Sequence, residues 1–286
     1  MNKERKKMSF YNFETSLQNA QPIRLYQFQR GALRWGYTSA DRDVRFNSIT
    51  FVSLLGGIKD DGIRQTQDSG ADLLTLTVPA SSDLALMYRH FAPAQAVNLT
   101  IFDLHYPELT STEQGAYLAV WKGFVVGVKF VGDFTAQVQC QNLSVSLERT
   151  GLRKTWSKLC SHQLYGKGCN LDRRAFMSEM TVVAVDGSFV DVVLPSDKSS
   201  DDYFTGGYVE WSSEYGIEQR GIERQLGNRL QLFGGVQGLV VGQNIKVFAG
   251  CNRTFTACQS KFNNTDNYGG SPHMPQKSPF DGTPIF

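Results

Sequence analysis

Apolar and polar residues alternate in steps of two through much of the first half of the chain. Tyr26 and Phe28 alternate with Gln27 and Gln29, and Leu33, Trp35 and Tyr37 alternate with Arg34 and Gly36. The two runs meet at Arg30-Gly31 and predict a hairpin. Leu74, Leu76 and Val78 alternate with Thr75 and Thr77, and Val97, Leu99 and Ile101 with Asn98 and Thr100, each run marking a strand with one buried face. Between them a short helix is expected, with Asp83 as N-cap, Leu84, Met87, Tyr88 and Phe91 on one face, and an end before Pro93. From Ala116 to Leu147 the β signal is nearly continuous, with Ala136, Val138 and Cys140 facing one way and Gln137 and Gln139 the other. Strands this dense, separated by Gly- and Asn-containing turns, point to an antiparallel barrel or sandwich over residues 1–148.

The pattern changes after Leu147. Glu148 to Lys158 is charged and reads as helical, and new strand signals follow at 181–194, 208–211, 217–225, 229–233 and 243–248. Pro195 to Asp202 is a polar loop. Residues 149–286 are therefore expected to form a second, small β domain with short helices, ending in an Asn-, Gly- and Pro-rich stretch, Asn263 to Phe286, that reads as an extended arm lying against a neighbouring subunit or partner. The fold class is mainly β.

Composition narrows the function classes. The 286 residues carry 29 Lys+Arg against 27 Asp+Glu, a balance that argues against a dedicated nucleic-acid-binding surface. The basic run Met1 to Lys7 reads as a solvated end. It leads into Ser9-Phe10-Tyr11-Asn12 rather than a signal-peptide core, and no apolar run is long enough to span a bilayer, so folding in a cytoplasm without membrane insertion is expected. In that reducing compartment five cysteines are more readily free thiols, metal ligands or reactive groups than disulfides.

Catalytic patterns are missing: there is no G-x-S-x-G elbow, Walker loop or H-E-x-x-H pair, and Gly166-Lys167-Gly168 lacks the context of a dinucleotide loop. The cysteines stand apart. Cys160 and Cys169 form C-x8-C, and Cys251 and Cys258 form C-x6-C, whereas Cys140 belongs to a strand alternation as a small buried residue. Gly166 and Gly168 permit a return that brings Cys169 beside Cys160. Asn252 or Thr254 caps a short helix placing Phe255, Cys258 and Phe262 on one inward face, with Cys251 folding towards it from outside. Lys158, Lys167, Arg173, Arg174, Arg253 and Lys261 flank the four thiols and would favour thiolates, and the amides of Gly166, Gly168 and Gly250 are candidate donors to sulfur. Spacing alone leaves three readings open: unrelated buried thiols, a four-cysteine metal site, and a reactive or disulfide role. Within the metal reading, loops longer than the usual C-x2-C to C-x4-C of zinc sites favour a cluster, with zinc as the alternative.

The segment Cys160-Ser161-His162-Gln163-Leu164-Tyr165-Gly166-Lys167-Gly168-Cys169, the run from Gly250 to Asn264 and Asn267-Tyr268-Gly269-Gly270 resemble the tail-tip hub proteins of long-tailed bacteriophages. That family includes the lambda-type tail tip protein L and the gene transfer agent hub. Leu25-Tyr26-Gln27-Phe28 and Trp35 to Val44 are similar to the opening of its tube-like domain, so the resemblance covers most of the chain. It implies a structural, non-enzymatic virion protein assembled in the host cytoplasm. It further implies a homotrimer at the tail tip, between the distal tail ring and the central tip or fibre protein. It also implies an iron–sulfur cluster, of the [4Fe–4S] type, on Cys160, Cys169, Cys251 and Cys258. The insert Asp172 to Ala249 departs from the shortest members. Two other functions compete: a cell-wall cysteine peptidase with Cys160 or Cys169 as nucleophile and His162 or His273 as base, and a redox-sensing iron–sulfur protein.

Overall fold

The computed structural model describes residues 10–17, 20–64, 66, 72–105, 117–148, 150–151, 156–198 and 202–275. The basic N-terminal run, residues 152–155 of the expected helix, 199–201 of the polar loop and the last eleven residues of the arm lie outside the described residues. The chain divides into two compact units, Met1–Arg149 and Thr150–Phe286.

In the first unit the two-residue alternation folds into strands. The expected hairpin is β1 (Pro22–Arg30) and β2 (Leu33–Thr38), with Tyr26 opposite Tyr37 and Phe28 opposite Trp35, and with Gly31 supplying the positive φ of the turn. They join β3 (Val44–Phe46), β4 (Ile49–Ser53), β5 (Lys59–Asp60), β6 (Leu73–Pro79), β7 (Asn98–His105), β8 (Leu118–Val131) and β9 (Thr135–Asn142). All nine strands make one sheet, in the order β3-β4-β2-β1-β7-β8-β9-β6-β5. Leu74, Leu76 and Val78 of β6 and Ala136, Val138 and Cys140 of β9 are buried, as their alternation demands.

Among the described residues the hydrogen-bonded ladder of this unit is an open sheet, so the nearly closed form of the expected barrel or sandwich is the one to compare. Five strand steps separate β1 from β5, about 24 Å on a flat sheet at ~4.8 Å per step. Yet Arg24 Nη1 of β1 lies 2.9 and 2.8 Å from the two carboxylate oxygens of Asp60 in β5. The sheet therefore curls until its β5 edge meets its middle, and side chains rather than backbone amides close it. Arg24 also holds Asp103 of β7, Nε to Oδ1 at 2.7 Å, and the Tyr26 hydroxyl donates to Asp60. The short helix α1 (Phe10–Glu14) precedes β1. A second, α2 (Asp83–Met87), is capped by Ser82 rather than Asp83 and buries Leu84, Ala85 and Met87; it stops before Phe91, which is 44% exposed.

The second unit contains the closed barrel. Its strands β10 (Met177–Asp186), β11 (Phe189–Val192), β12 (Tyr208–Ser213), β13 (Gly216–Leu226), β14 (Arg229–Leu232) and β15 (Asn244–Phe248) close in the order β10-β11-β14-β13-β12-β15. β10 and β13 are the long strands, and each shifts register midway, β10 between Val182 and Ala184 and β13 between Ile222 and Arg224. Such bulges bend a strand, so each of these two can pair in both halves of a small barrel. Met180, Val182, Val190, Val192, Phe204, Val209, Trp211, Ile222, Leu230, Leu232, Ile245 and Val247 fill the interior. At roughly 25 cal/mol per Å² of apolar area removed from water, full burial of each such side chain favours folding by about 1.5–3 kcal/mol before chain entropy. The strand signals after residue 180 are thus one barrel, and the insert 172–249 has its own core.

Candidate metal centre

The barrel's topology decides where the cysteines go. β10 pairs antiparallel with β15, with Met177 opposite Phe248, and the Ala249 amide extends that ladder to the Phe176 carbonyl at 3.0 Å. The chain enters β10 from Cys169 and leaves β15 towards Cys251, so pairing the start of one strand with the end of the other brings both cysteine pairs to one end of the barrel. Aromatic rings floor that end: Tyr165 packs edge-on against Phe248 and Tyr208, Phe176 against Phe262 at 5.0 Å, and Tyr208 stacks on Phe248 at 4.4 Å. The Tyr165 hydroxyl donates to the Ala249 carbonyl at 2.7 Å and fixes the Cys160–Cys169 loop to the exit of β15.

Gly250 makes the closest backbone approach. Its amide donates to Tyr203 O at 3.1 Å, and a Cβ placed there would lie 1.9 Å from Thr205 O. Next to it, Thr254 caps α3 (Phe255–Ser260) through Oγ1, which accepts from the Ala257 amide at 3.2 Å. The helix presents Cys258 and, just past its end, Phe262 inwards, 8% and 5% exposed, while Phe255 is 37% exposed and packs edge-on against Tyr268. Asn263, at φ 46°, then turns the chain back across the site.

Cys160, Cys169, Cys251 and Cys258 all line one cavity of about 60 Å³, together with His162, Leu171, Phe262 and Tyr268. All four are free thiols. Burial pushes the Cys251 thiol up, against the Arg253 amide and Lys261, and burial together with Cys251, Cys160 and Cys169 pushes Cys258 up. Each of these two thus senses other members of the quartet. Burial lowers the Lys261 ammonium to about 8, although Cys251 acts the other way. It sits 4.2 Å over the Tyr203 ring and donates to the carbonyls of Tyr203 and Gly250. Among the described residues no group of three or more His, Cys, Asp or Glu side chains is placed to hold a metal ion.

Donors to sulfur come from unexpected places. The Gly269 amide lies 3.3 Å from Cys160 Sγ, the Arg253 amide 3.3 Å from Cys251 Sγ, and Asn264 Nδ2 3.9 Å from Cys169 Sγ. Two of the three expected glycine donors are otherwise engaged, Gly166 with Gln163 O and Gly250 with Tyr203 O. Of the flanking cations Lys261 bears on Cys251, whereas Arg173 pairs with Glu210 at 2.8 Å. The expected arm also needs correction. Residues 264–271 fold back within this unit, where the Tyr268 hydroxyl donates to the carbonyls of Lys158 and Arg253 and the Ser271 amide to Ser157 O. Their signal was the run Asn267 to Gly270, which belongs to the same resemblance as the cysteines but whose composition alone reads as loose chain. Of the proposed peptidase bases, His162 lines the cysteine cavity but its Nδ1 contacts the Asn267 carbonyl at 3.1 Å, and His273 is exposed. Cys140 lies in the first unit, fully buried in β9, its thiol pushed up by burial.

Fold and site together define a mainly β protein of two units, a curled sheet and a small barrel that carries a cysteine-walled cavity. The chain belongs to the baseplate hub proteins: residues 23–172, more than half of it, match the family described as baseplate hub protein, N-terminal attachment domain. It is accordingly a component of a phage-type virion tail. Residues 202–278 match a second family, described as phage conserved hypothetical protein BR0599. The first match contains Cys160 and Cys169 and the second contains Cys251 and Cys258. In structure the chain is similar to one from the virion of a native gene transfer agent particle, with a TM-score of 0.71 over 93% of this chain and 96% of that one. At 18% identity that likeness shows the fold. An uncharacterized protein of Xylella fastidiosa (strain 9a5c) is 24% identical over 180 residues, which is 57% of this chain and 35% of that protein, so the match spans about a third of the relative's length. Among the described residues no helix is long and apolar enough to cross a membrane.

Proposed function

We propose that the chain is a structural hub of a tail tip, a homotrimer that joins the distal tail ring to the central tip or fibre protein, with its second unit held by an iron–sulfur cluster on Cys160, Cys169, Cys251 and Cys258. The observation that carries the cluster is the cavity walled by these four thiols. A tetrahedral zinc site needs four sulfurs each about 2.3 Å from one point. A [4Fe–4S] cluster takes four cysteine thiolates, and the four cysteines that line one cavity supply that number of ligands. Amide donors at Cys160 and Cys251 are the kind of contact that stabilises cluster thiolates. Bound there, the cluster would supply four metal–thiolate bonds linking the two loops, and binding energy of that kind is also folding energy.

The trimer and its two partners rest on family membership and on the sheet of the first unit, in which β3 is an edge strand among the described residues. Among the described residues no hydrogen bond joins a cysteine to a histidine, so the peptidase reading lacks its dyad. The test is assembly: tails made with single Cys→Ser variants at the four positions should lack the tip, and cross-linking should yield a trimer of the wild-type chain. Normal tips from all four variants would remove the structural role of the centre.

A further inference from the structure

We infer that Asn264 is a positioning residue that locks one cysteine of each pair, Cys169 and Cys258, into a single centre. It is 9% exposed, and all four of its polar groups are used. Its side-chain Nδ2 donates to the Cys169 carbonyl at 2.7 Å and points to the Cys169 sulfur at 3.9 Å. Its backbone amide donates to the Cys258 carbonyl at 3.0 Å, and its own carbonyl accepts from the Cys258 thiol at 3.1 Å. Its Oδ1 accepts from Asn267 Nδ2 at 2.7 Å, which fixes the orientation of the amide and leaves Nδ2 as the group facing Cys169.

No other single side chain spans the two pairs this way among the described hydrogen bonds. Cys169 and Cys258 lie far apart in sequence and on different segments, one in the loop before β10 and the other on α3. Neither segment pairs with the other as strand or helix, and Asn264 ties them directly at Cys169 and Cys258. Asn264 sits directly after the αL turn at Asn263, which is what lets its backbone serve Cys258 while its side chain turns to Cys169. Truncation to Ala removes the bridge and leaves the Cys169 carbonyl without this donor. Asp is nearly isosteric and still accepts from Asn267, but it replaces the donor with an anion beside sulfur. Asp should therefore disturb the centre while keeping the bond to Asn267.

The inference deepens the cluster reading, but its first test does not depend on metal. In the metal-free full chain, timed iodoacetamide alkylation with peptide mapping should show faster modification of Cys169 and Cys258 in N264A and N264D. Cys160 and Cys251 should keep their wild-type rates. In protein purified without oxygen, N264D should bind iron about 10–100-fold more weakly, the usual effect of removing a group that orients a ligand, and whatever cluster remains should have a more negative midpoint potential. Selective alkylation with no iron or sulfide in the wild type would support the Asn264 bridge and refute the cluster. An equal rise at all four cysteines in N264D, or wild-type alkylation and iron retention in N264A, would overturn the bridge.

Discussion

Removing the carboxylate of Asp60 should open the first unit at the point where its sheet closes on itself. Asp60 is on β5, at the sheet's edge, and its side chain is 9% exposed. It accepts two hydrogen bonds from Arg24, one from the Tyr26 hydroxyl and one from the Gly62 amide at 3.1 Å. Charged hydrogen bonds contribute about 1.5–3 kcal/mol each, but Arg24 is 30% exposed and keeps Asp103, so its share is small. The main loss is the buried Tyr26 hydroxyl, left without its acceptor at a cost of about 1–3 kcal/mol. Asp60→Ala should thus cost about 2–3 kcal/mol, and Asp60→Asn, which keeps one acceptor, about 1 kcal/mol. Burial alone would raise the Asp60 pKa, but the bonds from Tyr26 and Arg24 outweigh it and the carboxyl lies below its ordinary value. Its folded pKa is therefore below the unfolded one. The stabilisation is fully present above the unfolded value, near 3.9, and disappears as pH falls through the folded value. Urea unfolding of the full chain, with hydrogen exchange of β1 and β5 peptides as the local readout, measures both effects. A loss below about 0.5 kcal/mol in Asp60→Ala, or equal acid sensitivity in wild type and Asp60→Asn, would refute closure by this side chain.

Further outcomes are expected in the second unit. Gly250→Ala, with its methyl 1.9 Å from the Thr205 carbonyl, should cost at least about 1–3 kcal/mol by forcing the exit of β15 to shift, visible as a lower urea midpoint; an unchanged midpoint would mean the approach is looser than described. Phe262→Ala should cost about 3–5 kcal/mol by emptying the contact with Phe176 beneath the cysteines, and loss of iron at the same time is the accompanying readout. Cys140→Ser should leave iron content and tip assembly unchanged, since this cysteine lies in the other unit; lost iron would contradict the assignment of ligands.

The strands were legible because each presents one buried face, as in β6 and β9, and period two survives in the sequence. The architecture was less so. Nothing in the alternation of β1 or β5 distinguishes a barrel closed by amides from a curled sheet closed by Arg24 and Asp60, since that depends on two residues 36 positions apart. Helix limits slipped by small margins where a neighbouring Ser or Thr capped better, as Ser82 did ahead of Asp83. In the charged stretch after Leu147, Glu148 closes a 3-10 helix, Leu143–Glu148, and the described residues 150–151 and 156–158 are not helical, because local charge says little where no apolar face is present. At the site, the cysteine spacing and the Thr254 cap could be read from the chain. The residues that orient the sulfurs could not. Asn264, Tyr268 and Gly269 act through backbone groups and long-range contacts, and a run rich in Asn and Gly carries the same composition whether it straps a site or trails into solvent.

The most direct test of the cysteine centre is iron, acid-labile sulfide and visible absorption of the full chain purified without oxygen, in wild type and in single Ser variants of Cys160, Cys169, Cys251 and Cys258. The account predicts iron and sulfide in equal amounts in the wild type, broad absorption in the visible, and loss of both from each of the four variants together with destabilisation of the second unit. Stoichiometric zinc without iron would keep the ligands and refute the cluster, and full metal content after loss of any two of the four would contradict the shared centre itself.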